Sequence, residues 1–231
     1  MNDLCIGSTP VGINYPTYFI ADIAANHDND LQRALDLIEK CAESGANAAK
    51  FQNFKASTIV SELGFKELSD LKSHQSSWKE SVYETYEKAS LSLEWTNALK
   101  QKCDECRIDY FTAPYDMNII DILQPFVAAW KVGSGDISWL DLIHKLSTLN
   151  KPLLIATGAS SMDDVRIAVD IALRNTNEIV LMQCNTNYTG SLENFKYINL
   201  NVLKSYKKEF PNVMIGLSDH TPGHTTVLGS I

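Results

Sequence analysis

Short apolar runs alternate with amphipathic segments along almost the whole chain. The apolar runs are Tyr18–Ile23, Ala48–Gln52, Asp109–Ala113, Ala128–Gly133, Pro152–Thr157, Ile179–Gln183 and Val213–Leu217. Consecutive apolar positions are typical of parallel strands that are buried on both faces. The segments between them, such as residues 31–41, place an apolar residue every three or four positions, which predicts helices. The pattern therefore predicts a succession of β/α units.

Capping residues support these boundaries. Asn29 or Asp30 can cap the start of the first helix, and Gly45 supplies the left-handed conformation that ends it. Ser160 or Ser161 can cap a helix that begins at Met162, because the acidic residues that follow suit its first turn.

Seven β/α units in succession favour a (β/α)8 TIM barrel that is truncated after about seven units, with residues 1–231 forming one domain. We expect the eighth strand to be absent from this chain. Two strands would then each have an unpaired edge. We therefore expect the chain in isolation to aggregate readily and to have little activity. An open doubly wound sheet is the alternative, but no G-x-G-x-x-G follows the first predicted strand.

Composition excludes some classes of protein. Apolar residues make up 45% of the 231 positions, enough for a sizeable core, and the net charge of -8 argues against a nucleic-acid scaffold. No apolar run could span a bilayer, and the N-terminus does not resemble a signal peptide, so no membrane partner is expected. The odd number of scattered cysteines favours a reducing cytoplasmic location. Cys103 and Cys106 form a C-x-x-C, but they lie inside a charged stretch predicted to be helical, and no second pair completes a metal site, so a structural interpretation is favoured over a redox or zinc role.

A long connection, Asn53–Leu91, separates the second and third units. Long insertions in compact domains often act as functional loops or lids, although the role of this one stays open. Its aromatic residues, Trp78, Tyr83 and Tyr86, could form a platform for a sugar, but packing of the loop itself is the favoured interpretation. His74 in this connection and His144 are interpreted as residues without a role.

Polar residues follow the predicted strands at the ends where barrel enzymes carry their chemistry. They are Asp22, Asn26, His27, Lys50, Gln52, Thr112, Lys131, Ser134, Asp136, Thr157, Asn185, Asn187, Tyr188, Ser218, Asp219 and His220. A charged side chain in an apolar strand is costly unless it is paired or functional, and Lys50 and Lys131 are the clearest cases. Each could form a structural ion pair, Lys50 with Asp22 or Asp136. Together with the hydroxyl groups, they also suit a ligand that carries phosphate and carboxylate.

The motifs resemble those of one enzyme family, the N-acetylneuraminate (sialic acid) synthases and their legionaminic, pseudaminic and spore-coat polysaccharide relatives. They are Ala21-Asp-Ile-Ala-Ala-Asn-His27, Ala49-Lys-Phe-Gln52, Phe111-Thr-Ala-Pro114, Lys131-Val-Gly-Ser-Gly-Asp136, Leu154-Ile-Ala-Thr-Gly158 and Gly216-Leu-Ser-Asp-His220. The resemblance covers nearly the whole chain.

The resemblance implies a metal-dependent barrel that joins phosphoenolpyruvate to an N-acetylated amino sugar, such as N-acetylmannosamine, and releases phosphate. It places phosphoenolpyruvate on Lys50, Thr112, Lys131, Ser134 and Ser218, and the sugar on Gln52 and Tyr188. It makes Asp22 and Asp136 acid/base candidates, and His220 a ligand of Mn²⁺ or Mg²⁺. A second metal-binding histidine is expected on the eighth strand, and the full-length protein is expected to be a homodimer, with a C-terminal domain that reaches the partner's active site.

Asp22 and Asp136 stand where members of the family often carry glutamate. Three departures from the family pattern matter: the side chain of Asp22 is one methylene shorter, Ala156 lies where some members have a phosphate-binding serine, and residues 184–188 differ from Cys-Thr-x-x-Tyr. These departures suggest a different sugar. Two other functions remain open: an aldolase that forms a lysine Schiff base, and a catalytically inactive binding module.

Overall fold

The computed structural model describes residues 3–67, 75, 78–186, 188 and 190–231. The chain divides into two compact units. The first unit is Tyr18–Ala128, and the second unit combines Met1–Thr17 with Ala129–Ile231.

The strands of both units are short and, apart from one hairpin, parallel. The second unit opens with an antiparallel hairpin of β1 (Leu4–Ile6) and β2 (Thr9–Val11). The first unit contains the parallel strands β3 (Ile20–Ala24), β4 (Ala48–Asn53) and β5 (Asp109–Pro114), in that order. The second unit continues with the parallel strands β6 (Trp130–Val132), β7 (Leu153–Ala156), β8 (Ile179–Asn185) and β9 (Met214–Asp219).

Helices follow the parallel strands in both units. Those of the first unit are α1 (Leu31–Glu43), α2 (Ala56–Ile59), α3 (Glu62–Glu67), α4 (Val82–Ala89), α5 (Thr96–Glu105) and α6 (Ile120–Leu123). Those of the second unit are α7 (Leu140–Ser147), α8 (Met162–Leu173), α9 (Val202–Glu209) and α10 (Thr225–Gly229). Short 3-10 turns cover Leu93–Trp95, Met117–Ile119, Ser134–Asp136 and Leu192–Tyr197. The predicted alternation of strand and helix is confirmed, and a TIM barrel truncated after about seven units stays a prediction.

The helix ends follow the predicted caps. Asp30, not Asn29, accepts a hydrogen bond from the Arg33 N–H at the start of α1, and Gly45 has a positive φ of 84° just after its end. Ser161, not Ser160, caps α8, where its hydroxyl and the Asp164 carboxylate form a reciprocal capping box.

Each unit has an apolar core formed by its strands and the helices packed on them. In the first unit the largest fully buried side chains include Phe51, Tyr110 and Phe111 on neighbouring strands. In the second unit the buried Trp130 of β6 lies beside a strand, β7, whose residues are all buried. Strands with no exposed face are what the continuous apolar runs predicted.

Two regions differ from the simplest expectation. The hairpin of β1 and β2 was not predicted, because three-residue strands carry almost no periodic signal and β2 contains a proline. The long connection contains α2, α3 and α4, and His74 lies outside the described residues.

Among the described residues, no helix has the length and apolar character needed to cross a membrane. The cysteines are free, and the predicted helical stretch around the C-x-x-C is observed: Cys103 lies within α5, and Cys106 directly follows the helix.

Candidate active site

In the first unit, the carboxyl ends of β3 and β4 bring two predicted residues together. Asp22 and Lys50 are in register on neighbouring parallel strands, so their side chains share a face of the sheet. The Lys50 Nζ lies 2.7 Å from the Asp22 Oδ1. The Lys50 side chain is 8% exposed and that of Asp22 36%, so the ammonium is buried but its partner reaches solvent. Gln52, two residues further along β4, is on the same face.

Thr112 does not join this group. It is fully buried and in register with Phe51, which places its side chain on the opposite face from Lys50. Its hydroxyl donates a hydrogen bond of 2.6 Å to the Asn53 Oδ1. The predicted contact between Thr112 and phosphoenolpyruvate therefore gains no support from its position, and it stays a prediction.

His27 lies in the turn that follows β3 and is fully buried. Its Nδ1 accepts a hydrogen bond from the Asn29 N–H at 3.1 Å, so a neutral ring carries its proton on Nε2. The Nε2 has no partner among the described residues. Burial lowers the pKa of His27, because it disfavours the charged imidazolium. The ring packs edge-on against Trp95, with centroids 5.8 Å apart. The sequence predicted a polar turn here but not a buried imidazole.

In the second unit, Lys131 and Asp136 interact electrostatically. Lys131 is only 6% exposed although it is charged, and its Nζ lies 3.4 Å from the Val132 carbonyl oxygen. Burial raises the pKa of Asp136 to about 6, and the nearby Lys131 charge partly offsets that rise. A carboxyl group with a pKa of about 6 can both give and accept a proton near neutral pH.

Ser134 is held close to Gly158. Gly158 has a φ of 55°, and a Cβ at that position would lie 2.8 Å from the Ser134 carbonyl oxygen and 2.9 Å from the Ser134 Cβ. Glycine is therefore required here for two reasons, its left-handed backbone and the close approach of the Ser134 segment. Ala-Thr-Gly158 belongs to the motifs that carry the resemblance, but those motifs predict no role for Gly158.

Ser218 and His220 lie at the end of β9. Ser218 is in register with Cys184, and this places it on the same face of the second unit's sheet as Lys131. The His220 ring packs against the Tyr188 ring, with centroids 4.4 Å apart. The second unit thus brings Tyr188 and His220 together at this end of its sheet.

The described residues do not form a complete metal centre. No group of three or more potential ligands, counting His, Cys, Asp and Glu, occurs in the part of the chain that the structure covers. The Asp219 carboxylate next to His220 accepts hydrogen bonds at both oxygens, from Asn185 and Thr221. A divalent metal bound here would therefore need ligands in addition to His220.

Comparison with solved structures defines the fold class as that of sialic acid synthetases. The structure of the N-acetylneuraminic acid (sialic acid) synthetase from Leptospira borgpetersenii matches with a TM-score of 0.84 at 24% identity, over 99% of this chain and 74% of the other. The spore coat polysaccharide biosynthesis protein SpsE from Bacillus subtilis matches with a TM-score of 0.78 at 28% identity, over 95% of this chain and 57% of the other.

The chain belongs to the NeuB family, whose sequence pattern matches residues 37–231. It is 32% identical to the N,N'-diacetyllegionaminic acid synthase of Campylobacter jejuni over 90% of its length, and 30% identical to the human N-acetylneuraminate-9-phosphate synthase over 96%. It spans 61% and 60% of these two relatives. The family predicted from the motifs is confirmed.

Proposed function

We propose that this chain is the phosphoenolpyruvate-condensing part of an enzyme that makes a sialic-acid-like nonulosonic acid from an N-acetylated amino sugar. The observation that carries the proposal is the arrangement in the second unit. There a buried lysine adjoins a carboxyl group with a raised pKa, and Ser134 is fixed by its close approach to Gly158. Membership of the NeuB family supports the same chemistry.

Lys131 and Ser134 are the proposed contacts of this unit with phosphoenolpyruvate. A buried ammonium attracts the anion strongly, because little water screens its charge. The serine hydroxyl adds a directed hydrogen bond, and Ser218 on the Lys131 face can add another. In the first unit, we propose that Lys50 binds an anionic group and that Gln52 faces the sugar. Tyr188, which is 54% exposed, is a further proposed sugar contact.

Asp136 is the proposed acid/base group. The methylene carbon of phosphoenolpyruvate attacks the aldehyde carbon of the open-chain sugar, and the aldehyde oxygen takes up a proton. Water then adds to the former enol carbon and loses one proton. The C–O bond to phosphate breaks as the remaining hydroxyl proton passes to the departing phosphate, which leaves a keto group on that carbon. A carboxyl group with a pKa of about 6 can supply the first proton and accept the second. Asp22 is the second candidate for this role. Its carboxylate forms an ion pair with Lys50, which is the proposed contact for an anionic group in the first unit.

A divalent metal, Mn²⁺ or Mg²⁺, is also proposed, with His220 as one ligand. Such an ion would act as a Lewis acid on the sugar aldehyde. Because the described residues form no complete centre, none of the steps above is assigned to it. A cytoplasmic location and a homodimer of the full-length protein are proposed with the same function.

The test measures phosphate release from phosphoenolpyruvate across a panel of N-acetylated hexosamines, with the reaction run in ¹⁸O-labelled water. We expect release to require one of the sugars, and the label to enter the keto acid and not the phosphate, because the C–O bond breaks. Lys131→Met should remove activity, whereas Lys204→Met, on the exposed surface of α9, should not. Label in the phosphate would instead support a reaction that breaks the P–O bond. Trapping of Lys131 by pyruvate and borohydride would support a Schiff-base aldolase.

A further inference from the structure

Five side chains form a continuous chain of hydrogen bonds at the carboxyl ends of β8 and β9. We call it the Asn185–Asp219 network, and its members are Gln183, Asn185, Asp219, Thr221 and Thr226. The Gln183 Nε2 donates to the Asn185 Oδ1 at 2.9 Å, and the Asn185 Nδ2 donates to the Asp219 Oδ1 at 2.8 Å. The Thr221 hydroxyl lies 2.6 Å from the Asp219 Oδ2 and 3.0 Å from the Thr226 Oγ1.

The carboxylate fixes the direction of every bond in this network. An ionised Asp219 can only accept, so Asn185 must present its NH2 group to one oxygen and Thr221 its hydroxyl hydrogen to the other. The Asn185 carbonyl oxygen then faces Gln183, which must donate. Thr226 in turn donates to the Thr221 oxygen. Only one arrangement of donors and acceptors satisfies these links.

The network lies on the opposite face of the strands from the proposed substrate contacts. Asn185 and Asp219 are in register with each other, whereas the neighbouring pair Cys184 and Ser218 projects to the other side. The Asn185 backbone oxygen also accepts a hydrogen bond of 3.2 Å from the His220 N–H. Asn185 therefore holds the residue before His220 by its side chain and His220 itself by its backbone.

Burial makes the network sensitive to any lost link. Gln183 and Asn185 are each 7% exposed, and Thr226 is 5% exposed. Asp219 and Thr221 are half-buried, and the Gln183 Oε1 has no partner among the described residues. The bonds that run from Asn185 through Asp219 and Thr221 to Thr226 are all made, and bonds within a buried polar network hold its members in place. They connect the end of β9 to β8 and α10.

We infer that Asn185 and Asp219 are positioning residues that set the Ser218 hydroxyl and the His220 ring in place from behind the sheet, without touching substrate. This inference rests on the proposed function, in which Ser218 and His220 meet the substrates. It gives Asp219 a positioning role through the hydrogen bond that each of its oxygens accepts, from Asn185 and from Thr221.

An exchange of the two side chains tests the inference. Asn185→Asp alone places two carboxylates where an amide met a carboxylate at 2.8 Å, so it should disrupt the network. The double variant N185D/D219N restores every link. The carboxylate at position 185 accepts from Gln183 and from the amide NH2 at position 219, and the amide oxygen at position 219 accepts from Thr221. A matched control is Asn175→Asp, the same change at an exposed amide that donates to the Ser147 Oγ.

The first readout is the His220 side-chain signal in NMR spectra of the chain labelled in histidine, assigned with His220→Gln. The Tyr188 ring 4.4 Å away shifts this signal by its ring current, so movement of His220 changes it. The second readout is kcat and KM for phosphate release. We expect N185D to move the signal and to lower kcat/KM by about 100-fold, the loss that a misplacement on the order of 1 Å produces. The double variant should recover most of both, and Asn175→Asp should change neither.

An unmoved His220 signal in N185D would overturn the inference. The inference would also be overturned if the double variant and D219N were both as impaired as N185D. The Asp219 carboxylate would then itself be required. If N185D does not fold, Thr221→Val removes the two links of the Thr221 hydroxyl but keeps the bond between Asn185 and Asp219, so it should shift the same signal by a smaller amount. Should no sugar support phosphate release, the proposed function fails, whereas the NMR comparison still decides the positioning role.

Discussion

Replacing Gly158 by alanine tests how closely Ser134 must be held. An alanine with a positive φ costs about 1–2 kcal/mol relative to its preferred backbone. The added Cβ would also lie 2.8 Å from the Ser134 carbonyl oxygen and 2.9 Å from its Cβ, so one of the two segments has to move. Forcing such a contact typically costs about 1–3 kcal/mol more. We therefore expect Gly158→Ala to lower the free energy of unfolding by about 2–5 kcal/mol.

Gly45 provides the matched control. It has a φ of 84°, but a Cβ there would meet no atom within 4 Å. Gly45→Ala should therefore cost only the backbone contribution of about 1–2 kcal/mol. Urea unfolding of both variants measures the difference, and titration with phosphoenolpyruvate shows whether the displaced Ser134 weakens binding in Gly158→Ala alone. Equal losses of stability, or unchanged binding in a clearly destabilised Gly158→Ala, would refute the close-approach reasoning.

Three further changes have defined outcomes. Lys131→Met should weaken phosphoenolpyruvate binding by about 2–5 kcal/mol and move the pKa of Asp136 above 6, because the ammonium lowers it; calorimetry measures the first effect and an NMR titration of the Asp136 side chain the second. Asp22→Asn should leave phosphoenolpyruvate affinity nearly intact, since the Lys50 charge remains, but slow single-turnover chemistry; the opposite pattern would make Asp22 a binding residue. The pKa of His27 is lower in the folded chain than in the unfolded chain, so the unfolded chain binds a proton first as pH falls. The contribution of the neutral His27 to stability is therefore lost as pH falls below about 6.5. The difference in unfolding free energy between wild type and His27→Asn should shrink from pH 7 to pH 5, and a constant difference would contradict this.

The sequence predicted well those features that depend on neighbours along the chain. Gly45 and Ser161 act as helix boundaries through bonds and conformations within a few residues, and both follow their local rules. The family motifs likewise pointed to the correct family, since their order along the chain is itself a sequence property. The hairpin of β1 and β2 was missed because its strands are too short to show a period.

Features that depend on register between distant strands could not be predicted. In a strand that is buried on both faces, polar and apolar residues do not alternate, so the sequence does not show which face a residue occupies. The position of Thr112 on the face opposite to Lys50 could therefore not be predicted. The pairing of Asn185 with Asp219 depends on how β8 and β9 align, and the approach of Ser134 to Gly158 depends on two loops 24 residues apart in sequence. The raised pKa of Asp136 follows from burial, which only the fold determines.

The hairpin of β1 and β2 has a consequence for synthesis on the ribosome. It groups with Ala129–Ile231, although its residues emerge more than a hundred positions earlier. The contiguous unit Tyr18–Ala128 can complete its own contacts first, while the buried Leu4 and Ile6 must wait for the rest of their unit to be translated. The hairpin thus leaves the ribosome well before its native partners in the same unit, and until they follow, its apolar residues are open to chaperones.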